Sequence, residues 1–292
     1  MNDKIIISVI IPFYNRFDLL EKCISSIKKN KSKKFEIIII DDGSDNKNSN
    51  KAIKLVDKNI HYFKISKNSE RGFARNYGAS KSRGKYLNFF DSDDLCYPNH
   101  IEDSIKYILE NNPEIFCNSY EIKQPQNKTK KIILEGIINK QIYQGNLISC
   151  NSVFVKKNIF LRYKFCETRE LSGSEDWDLW VRIALNHEFL ANSFITSAII
   201  DHEDRSTRIQ KVDKVIQRLD ILLKRIKNNE IFKANASIQK IIISEIYSFK
   251  SYTYSCDKNF NKTIIYLYKS IKIYFFKIIL KRNFVIIRNL LI

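Results

Sequence analysis

Residues 86–90, Tyr-Leu-Asn-Phe-Phe, form a mostly apolar run that ends directly in three carboxylates, Asp91, Asp93 and Asp94. A short apolar run bounded by polar residues reads as a buried strand. Buried strands do not ordinarily finish in clustered acid, and open α/β sheets bind their ligands at the carboxyl ends of their strands. An Asp-x-Asp at such an end suits a hard divalent cation that keeps some water and takes phosphate oxygens as further ligands. The run therefore predicts both a sheet and a metal–phosphate ligand at one of its edges.

The preceding chain fits such a sheet. Residues 5–11 and 35–40 are further buried-strand runs. The first is followed by a loop, Pro12-Phe13-Tyr14-Asn15, and the second by a turn, Asp41-Asp42-Gly43-Ser44. Residues 19–28 have helical spacing, 52–56 are weakly helical, 60–65 read as a third strand, and 72–80 read as a helix before the acid-bearing strand. Alternating strands and helices predict a largely parallel sheet covered on both faces. Beyond Pro98 the pattern gives a helix to Leu109, strand-like pieces over 115–154 around a polar excursion at 123–131, and a helix over 175–185. After Thr207 it becomes long and helical, which sets a boundary near residue 206 and two regions, 1–205 and 206–292. Glycine and proline are scarce, at 7 and 4, yet Gly43, Gly72, Gly78 and Gly84 all lie by the candidate ligand-binding segments.

Charge separates the two regions. Residues 206–292 hold 18 Lys/Arg against 5 Asp/Glu, a net +13 of the chain's +18. The six cysteines show neither paired nor metal-type spacing, which predicts reduced thiols in a cytoplasmic protein. The first apolar run is short and has no basic segment before it, so no signal peptide is expected. No uninterrupted apolar run of about 18 residues exists, so no spanning helix is expected.

Taken in order, VIIPFYNR, IIIIDDGS, GFARNYG, YLNFFDSDD and GSEDWDLWVRI resemble the motifs of the inverting family 2 glycosyltransferases of the bacterial surface-polysaccharide type. The resemblance covers roughly residues 5–205. It implies a GT-A fold, a Rossmann-like mixed α/β sheet, here with a C-terminal helical extension. It also implies a nucleotide-sugar donor, UDP-linked, and a Mn²⁺ or Mg²⁺ cofactor. Asp93 matches the direct metal ligand, Asp91 the residue that touches ribose or a metal-bound water, and Pro12, Tyr14, Asn15, Arg16 and Asp42 the nucleotide pocket. Asp94 could replace Asp93, because the acidic run is ambiguous by one place. Arg71 and Arg75, at i, i+4 on a helix, share a face from which either could reach the diphosphate. In GSEDWDL the second acid, Asp176, matches the catalytic base, with Glu175 positioning base or acceptor. His202 resembles an additional metal or diphosphate ligand found in some relatives.

Each of these residues also has an ordinary structural explanation. Asp41-Asp42-Gly43-Ser44 suits a turn that caps a helix. Asp93 or Asp94 could cap the helix beyond Pro98. Ser172 with Glu175 fits a capping box, and acids are favoured in a first helical turn. Trp177 and Trp180 could wall an acceptor site or lie in the core. His202, beside Asp201, Glu203 and Asp204, could sit in a solvated turn.

From Lys258 onward there are eight basic residues and no acidic one. On a helix, Lys262, Lys269, Lys272, Lys277 and Lys281 occupy about half the circumference, with Ile, Leu, Tyr and Phe on the remainder. That pattern suits a helix lying on an anionic membrane surface; a solvated basic face or a nucleic-acid face are the alternatives. The expected protein is an inverting hexosyl- or N-acetylhexosaminyltransferase at the inner face of the cytoplasmic membrane, acting on a lipid-linked or surface-polysaccharide acceptor. No nucleic-acid partner is expected. The rival is a non-catalytic basic binding protein, for membrane or nucleic acid, on a degenerate transferase fold.

Overall fold

The computed structural model describes residues 4–202, 211–275 and 281–291. It divides into two compact units. The first comprises Met1–Asn139, Leu147–Arg169 and Arg182–Glu203; the second comprises Lys140–Asn146, Glu170–Val181 and Asp204–Ile292. A boundary near residue 206 lies outside the described residues, and the short segments 140–146 and 170–181 belong with the C-terminal helices.

The first unit is built on one mixed sheet. Its strands are β1 (Ile7–Phe13), β2 (Phe35–Asp41), β3 (Ile60–Lys64), β4 (Tyr86–Phe89), β5 (Leu95–Cys96), β6 (Ile115–Gln124), β7 (Lys128–Ile132), β8 (Gly136–Ile137), β9 (Val153–Lys156) and β10 (Phe189–Ile200). They lie in the order β3-β2-β1-β4-β9-β6-β10-β5, with β7 paired to β6 and β8 to β10. The first four are parallel, with Ile10 beside Ile38 on one side and Phe89 on the other. Helices Phe17–Ile27, Asn46–Ile53 and Glu70–Lys81 connect them. Parallel strands covered on both faces need apolar residues at every position, which is why β1, β2 and β4 read as continuous runs. The parallel order stops at β9, which enters antiparallel between β4 and β6. The polar stretch over 123–131 closes the β6–β7 hairpin, with positive φ at Gln126 and Asn127.

The expected loop at Pro12 is instead the end of β1, which runs through Phe13 and keeps Pro12 beside Ile40. A proline is tolerated in a strand where no ladder donor is needed. Pro12 shares the parity of Ile10, whose carbonyl accepts from Phe90 on the β4 side. Pairing with β4 ends at Ile10, so the missing N–H faces no partner strand there.

On β2, Glu36 is buried with both carboxylate oxygens hydrogen-bonded. Ser8 Oγ donates to Oε1 at 2.7 Å, Arg83 N to Oε1 at 2.6 Å and Arg83 Nε to Oε2 at 2.7 Å. Burial alone would raise its pKa; the hydrogen bonds from Ser8 and Arg83 outweigh that and hold it below the ordinary glutamate value of 4.5. A depressed folded pKa gives stability that is present above the unfolded value and is lost as pH falls through the folded one. Glu36→Ala is therefore expected to cost about 2 kcal/mol at neutral pH, through stranded buried donors. The penalty should shrink on acidification below about pH 4, as read by urea melts of both proteins across that range.

The second unit is helical. Val212–Asn228, Phe260–Ile273 and Lys281–Leu291 pack on the central helix Ala236–Cys256. Leu219, Leu222, Ile226, Ile242 and Ile246 form its apolar interior. Buried Lys250 pairs with Asp220 and lies 5.2 Å from the Tyr266 ring centroid. The basic tail, expected as a single amphipathic helix, forms two among the described residues: the first ends at Tyr274, whose extended φ of −143° and ψ of 93° stop it. Lys277 lies outside the described residues. No described helix is long and apolar enough to cross a membrane.

Candidate active site

The segments that follow β1, β2 and β4 at their carboxyl ends carry most of the candidate residues of the first unit. The turn after β2 is organised by Asp41, not exposed by it. Its buried carboxylate accepts from Ser44 N at 2.8 Å, Ser49 Oγ at 2.6 Å and Tyr62 Oη at 2.5 Å. Gly43 follows with φ +78°, and a Cβ there would fall 2.6 Å from Asn68 N, so the turn needs glycine twice over. Asn15, at φ +53°, ties the β1 loop to this turn: its N–H donates to Ser44 Oγ at 2.9 Å and its Oδ1 accepts from Asp45 N at 2.8 Å. Tyr14 and Arg16 on either side are exposed, and Pro12 is half-buried at the strand end.

Asp42 is buried under the 67–70 loop. Ser69 N donates to Oδ1 at 2.8 Å and Asn68 Nδ2 to Oδ2 at 3.2 Å. Burial raises its pKa above the ordinary aspartate value, and the backbone donors of Ser69 and Glu70 only partly counter that. Arg169 pins the same loop. Its guanidinium donates to Asn68 O at 2.7 Å and Oδ1 at 2.9 Å, and Nη1 lies 2.6 Å from Glu70 Oε1. Nothing in the local sequence around Arg169 points to this role, because its partners lie about a hundred residues earlier.

Asp91, Asp93 and Asp94 each present a carboxylate oxygen, and the three lie within 4.8 Å of one another. The three are held differently. Asp94 is buried and held by the scaffold: Asn151 Nδ2 donates to Oδ2 at 2.7 Å and Ile200 N to Oδ1 at 2.9 Å. Asp93 is partly exposed, and His202 Nε2 lies 3.1 Å from its Oδ2. Asp91 Oδ1 accepts from Arg75 Nη2 at 2.7 Å. Arg75 is itself buried and stacked 5.1 Å from the Phe165 ring centroid. Arg71, one turn earlier on the Glu70–Lys81 helix, is half-buried. An all-carboxylate cluster with one adjacent imidazole fits a hard divalent cation, which takes oxygen ligands and retains water.

Asn151 is a second residue whose role has no local sequence signal. Besides holding Asp94, its Oδ1 accepts from Asp91 N at 2.8 Å, so one buried amide fixes both ends of the acidic run. Its own backbone carbonyl accepts from buried Asn88 on β4 at 2.9 Å. Cys23 lies next to this cluster. Burial first, then Cys96 and the three aspartates, raise its pKa well above 9.0, so it stays a thiol.

The Glu175-Asp176 pair belongs to the second unit. The helix starts at Glu175 after a turn in which Ser174 N donates to Leu171 O at 2.9 Å, so a capping box from Ser172 is not how it begins. Buried Glu175 accepts from Gly173 N at 2.5 Å through Oε2. Partly exposed Asp176 accepts from Trp177 N at 2.7 Å and from Asn146 Nδ2 at 2.9 Å. Trp177 and Trp180 are buried, and Trp177 Nε1 donates to Ile142 O at 2.8 Å, which makes both core residues and not walls of an open site. Asp178 is buried in a two-pronged pair with Arg225, at 2.9 and 3.0 Å.

Comparison with known proteins agrees with this architecture. Residues 8–167 match the profile of glycosyl transferase family 2. An uncharacterized glycosyltransferase of Methanocaldococcus jannaschii is 33% identical over 223 residues, covering 72% of this chain and 76% of that protein. The poly(ribitol-phosphate) β-N-acetylglucosaminyltransferase TarP of Staphylococcus aureus is 32% identical over 162 residues, covering 54% of this chain and 48% of its own. Uncharacterized glycosyltransferases of Rickettsia conorii and Rickettsia felis match over only 30% of their own length. Among solved structures, S. aureus TarS 1–349 in complex with UDP-GlcNAc superposes with a TM-score of 0.72 at 18% identity, covering 92% of this chain and 81% of that one. The acid-ended β4, the mixed sheet around it and these matches have one common explanation: the chain belongs to glycosyl transferase family 2 and has the GT-A fold.

Proposed function

We propose that the protein transfers a hexosyl or N-acetylhexosaminyl group, with inversion, from a UDP-sugar to a glycan or lipid-linked acceptor. The observation that carries this reading is the gathering of Asp91, Asp93 and His202 beyond β4, with Asp94 withdrawn into the scaffold. The UDP-GlcNAc held by TarS and the poly(ribitol-phosphate) β-N-acetylglucosaminyltransferase activity of TarP support the donor and a glycan acceptor. In this reading Asp42 and the Pro12–Tyr14–Asn15–Arg16 segment line the nucleoside end. Arg71 faces the diphosphate, and Arg75 keeps Asp91 in place. Asp93, Asp91 and His202 would hold Mn²⁺ or Mg²⁺, which when bound supplies positive charge against the departing diphosphate.

The chain's own residues then do three things. The turns built by Asp41 and Asn151 hold the donor-facing carboxylates rigid before substrate arrives, so little reorganisation is left for the reaction itself. Asp176 accepts the acceptor hydroxyl proton as that oxygen bonds to the anomeric carbon and the bond to the diphosphate oxygen breaks. Glu175, fixed by Gly173, orients the helix start that carries the base.

A thermal-shift screen with Mn²⁺ tests the donor. Ligand at a hundredfold over Kd adds about 2.7 kcal/mol to a folded state, so the matching UDP-sugar is expected to raise Tm by roughly 5 °C. Chelator should abolish that rise. A non-catalytic basic binding protein would give no rise with any nucleotide sugar and no metal-dependent donor hydrolysis, and that pair of results would overturn the reading.

A further inference from the structure

In the C-terminal unit one helix has its polarity turned inside out. The Phe260–Ile273 helix packs on the Ala236–Cys256 helix, and the residues it buries are Thr263 and Ser270. Ser244 Oγ donates to Ser270 O, Ser270 Oγ to Ser244 O and Ser251 Oγ to Thr263 O, each at 2.8 Å. Small hydroxyl residues at a helix seam let the backbones approach closely, the packing that membranes favour. The large apolar side chains point the other way. Phe260 is 54% exposed, Ile264 44%, Ile265 49% and Tyr268 63%. Phe260, Ile264 and Tyr268 follow at i, i+4, i+8 and so share one face, with exposed Lys262, Lys269 and Lys272 bordering it. The Lys281–Leu291 helix repeats the inversion in part: Asn283 is buried, 3.4 Å from Ser248 Oγ, while Phe284 is 63% exposed beside exposed Arg288.

An amphipathic surface helix in water does the reverse, burying its apolar stripe. This apolar face therefore needs an occupant, and charge selects it. Residues 206–292 carry a net +13, with no acid after Asp257. A second copy would bring the same charge against it, and a nucleic acid would answer the lysines but leave Phe260, Ile264 and Ile265 wet. An anionic lipid surface answers both, with acyl chains for the rings and aliphatics and phosphates for the lysines. No described helix can span, so the helix would lie in the plane of the interface. We infer that the Phe260–Ile273 face docks this protein on an anionic phospholipid surface. Phe260, Ile264, Ile265 and Tyr268 enter the headgroup–acyl boundary, and Lys262, Lys269 and Lys272 contact lipid phosphates. The inference does not depend on the transferase reading, and its test contains no sugar donor.

The test is flotation of the full chain with vesicles of phosphatidylcholine alone and of phosphatidylcholine mixed with phosphatidylglycerol. The wild type is expected to float only with the anionic vesicles, less so as salt rises. The combined Ile264→Ser, Ile265→Ser, Tyr268→Ser variant should lower partitioning at least about tenfold. The combined Lys262→Gln, Lys269→Gln, Lys272→Gln variant should do the same, with circular dichroism unchanged in both. If the apolar variant loses its fold, the lysine variant alone decides the question. Wild type that ignores anionic vesicles, or a folded variant that floats as well as wild type, overturns the inference. So does an apolar variant whose only change is from dimer to monomer in sedimentation, since the face would then be an interface between copies.

Discussion

Asp93→Ala is expected to abolish sugar transfer and the metal-dependent part of nucleotide binding while leaving the fold intact. Neighbouring acids of the cluster are held differently. Asp93 is partly exposed, and its Oδ2 lies 3.1 Å from His202 Nε2. Among the described residues, removing its side chain strands no backbone donor, so the stability cost should stay within about 1 kcal/mol. Charge stabilisation by a bound cation is worth several kcal/mol of barrier, and each 1.4 kcal/mol is about tenfold in rate. A loss of about 10³-fold or more is therefore expected. Asp94→Ala should look different. It uncouples Asn151 and the Ile200 N–H in a buried site, so it should lower Tm by several degrees, in line with about 1–3 kcal/mol for stranded polar groups. Calorimetric titration of UDP with and without Mn²⁺, beside thermal melts of both variants, separates the two roles. Full activity in Asp93→Ala, or in wild type treated with chelator, would remove the metal from the proposal.

The contrast between Asp93 and Asp94 also marks what a linear reading can reach. Strands buried on both faces announce themselves as unbroken apolar runs, so β1, β2 and β4 were legible, and with them the position of the acidic cluster at a sheet edge. Which acid of the cluster turns outward was not legible. It is decided by Asn151, 57 residues beyond Asp94 and 60 beyond Asp91, in a stretch whose only local message is strand-like pieces. The same holds for Arg169 on the 67–70 loop and for the antiparallel entry of β9. The end of β1 was misplaced for the opposite reason. Proline is a strong local signal for leaving a strand, and only the early finish of β4 pairing makes Pro12 acceptable inside one. In the tail the charge count was legible and the direction of each face was not. Composition cannot reveal that Thr263 and Ser270 are buried while Phe260 and Tyr268 are turned out.

Asp176→Asn should lower turnover by at least about 10²-fold, the lower end of what a positioned acid or base contributes, with donor affinity nearly unchanged. The substitution keeps the size of the side chain and removes its ability to take a proton. It also keeps the local structure. Asp176 accepts from Trp177 N and from Asn146 Nδ2; an asparagine at 176 can still accept from Trp177, and Asn146 can turn its amide over to accept from the new NH₂ group. Through these two contacts the cost to stability is about one ordinary hydrogen bond, roughly 1 kcal/mol. Asp178→Asn, two residues on, supplies the control. Asp178 is buried and paired on both oxygens with Arg225, so that variant should lose stability first and turnover only as the folded fraction falls. Measuring kcat, KM for the donor and Tm for both variants distinguishes a proton acceptor from a structural acid. A collapse in donor binding with high residual turnover in Asp176→Asn would make Asp176 a nucleotide contact. A fall in Tm matching that of Asp178→Asn would make it a structural cap. In either case the proton would have to leave through another group.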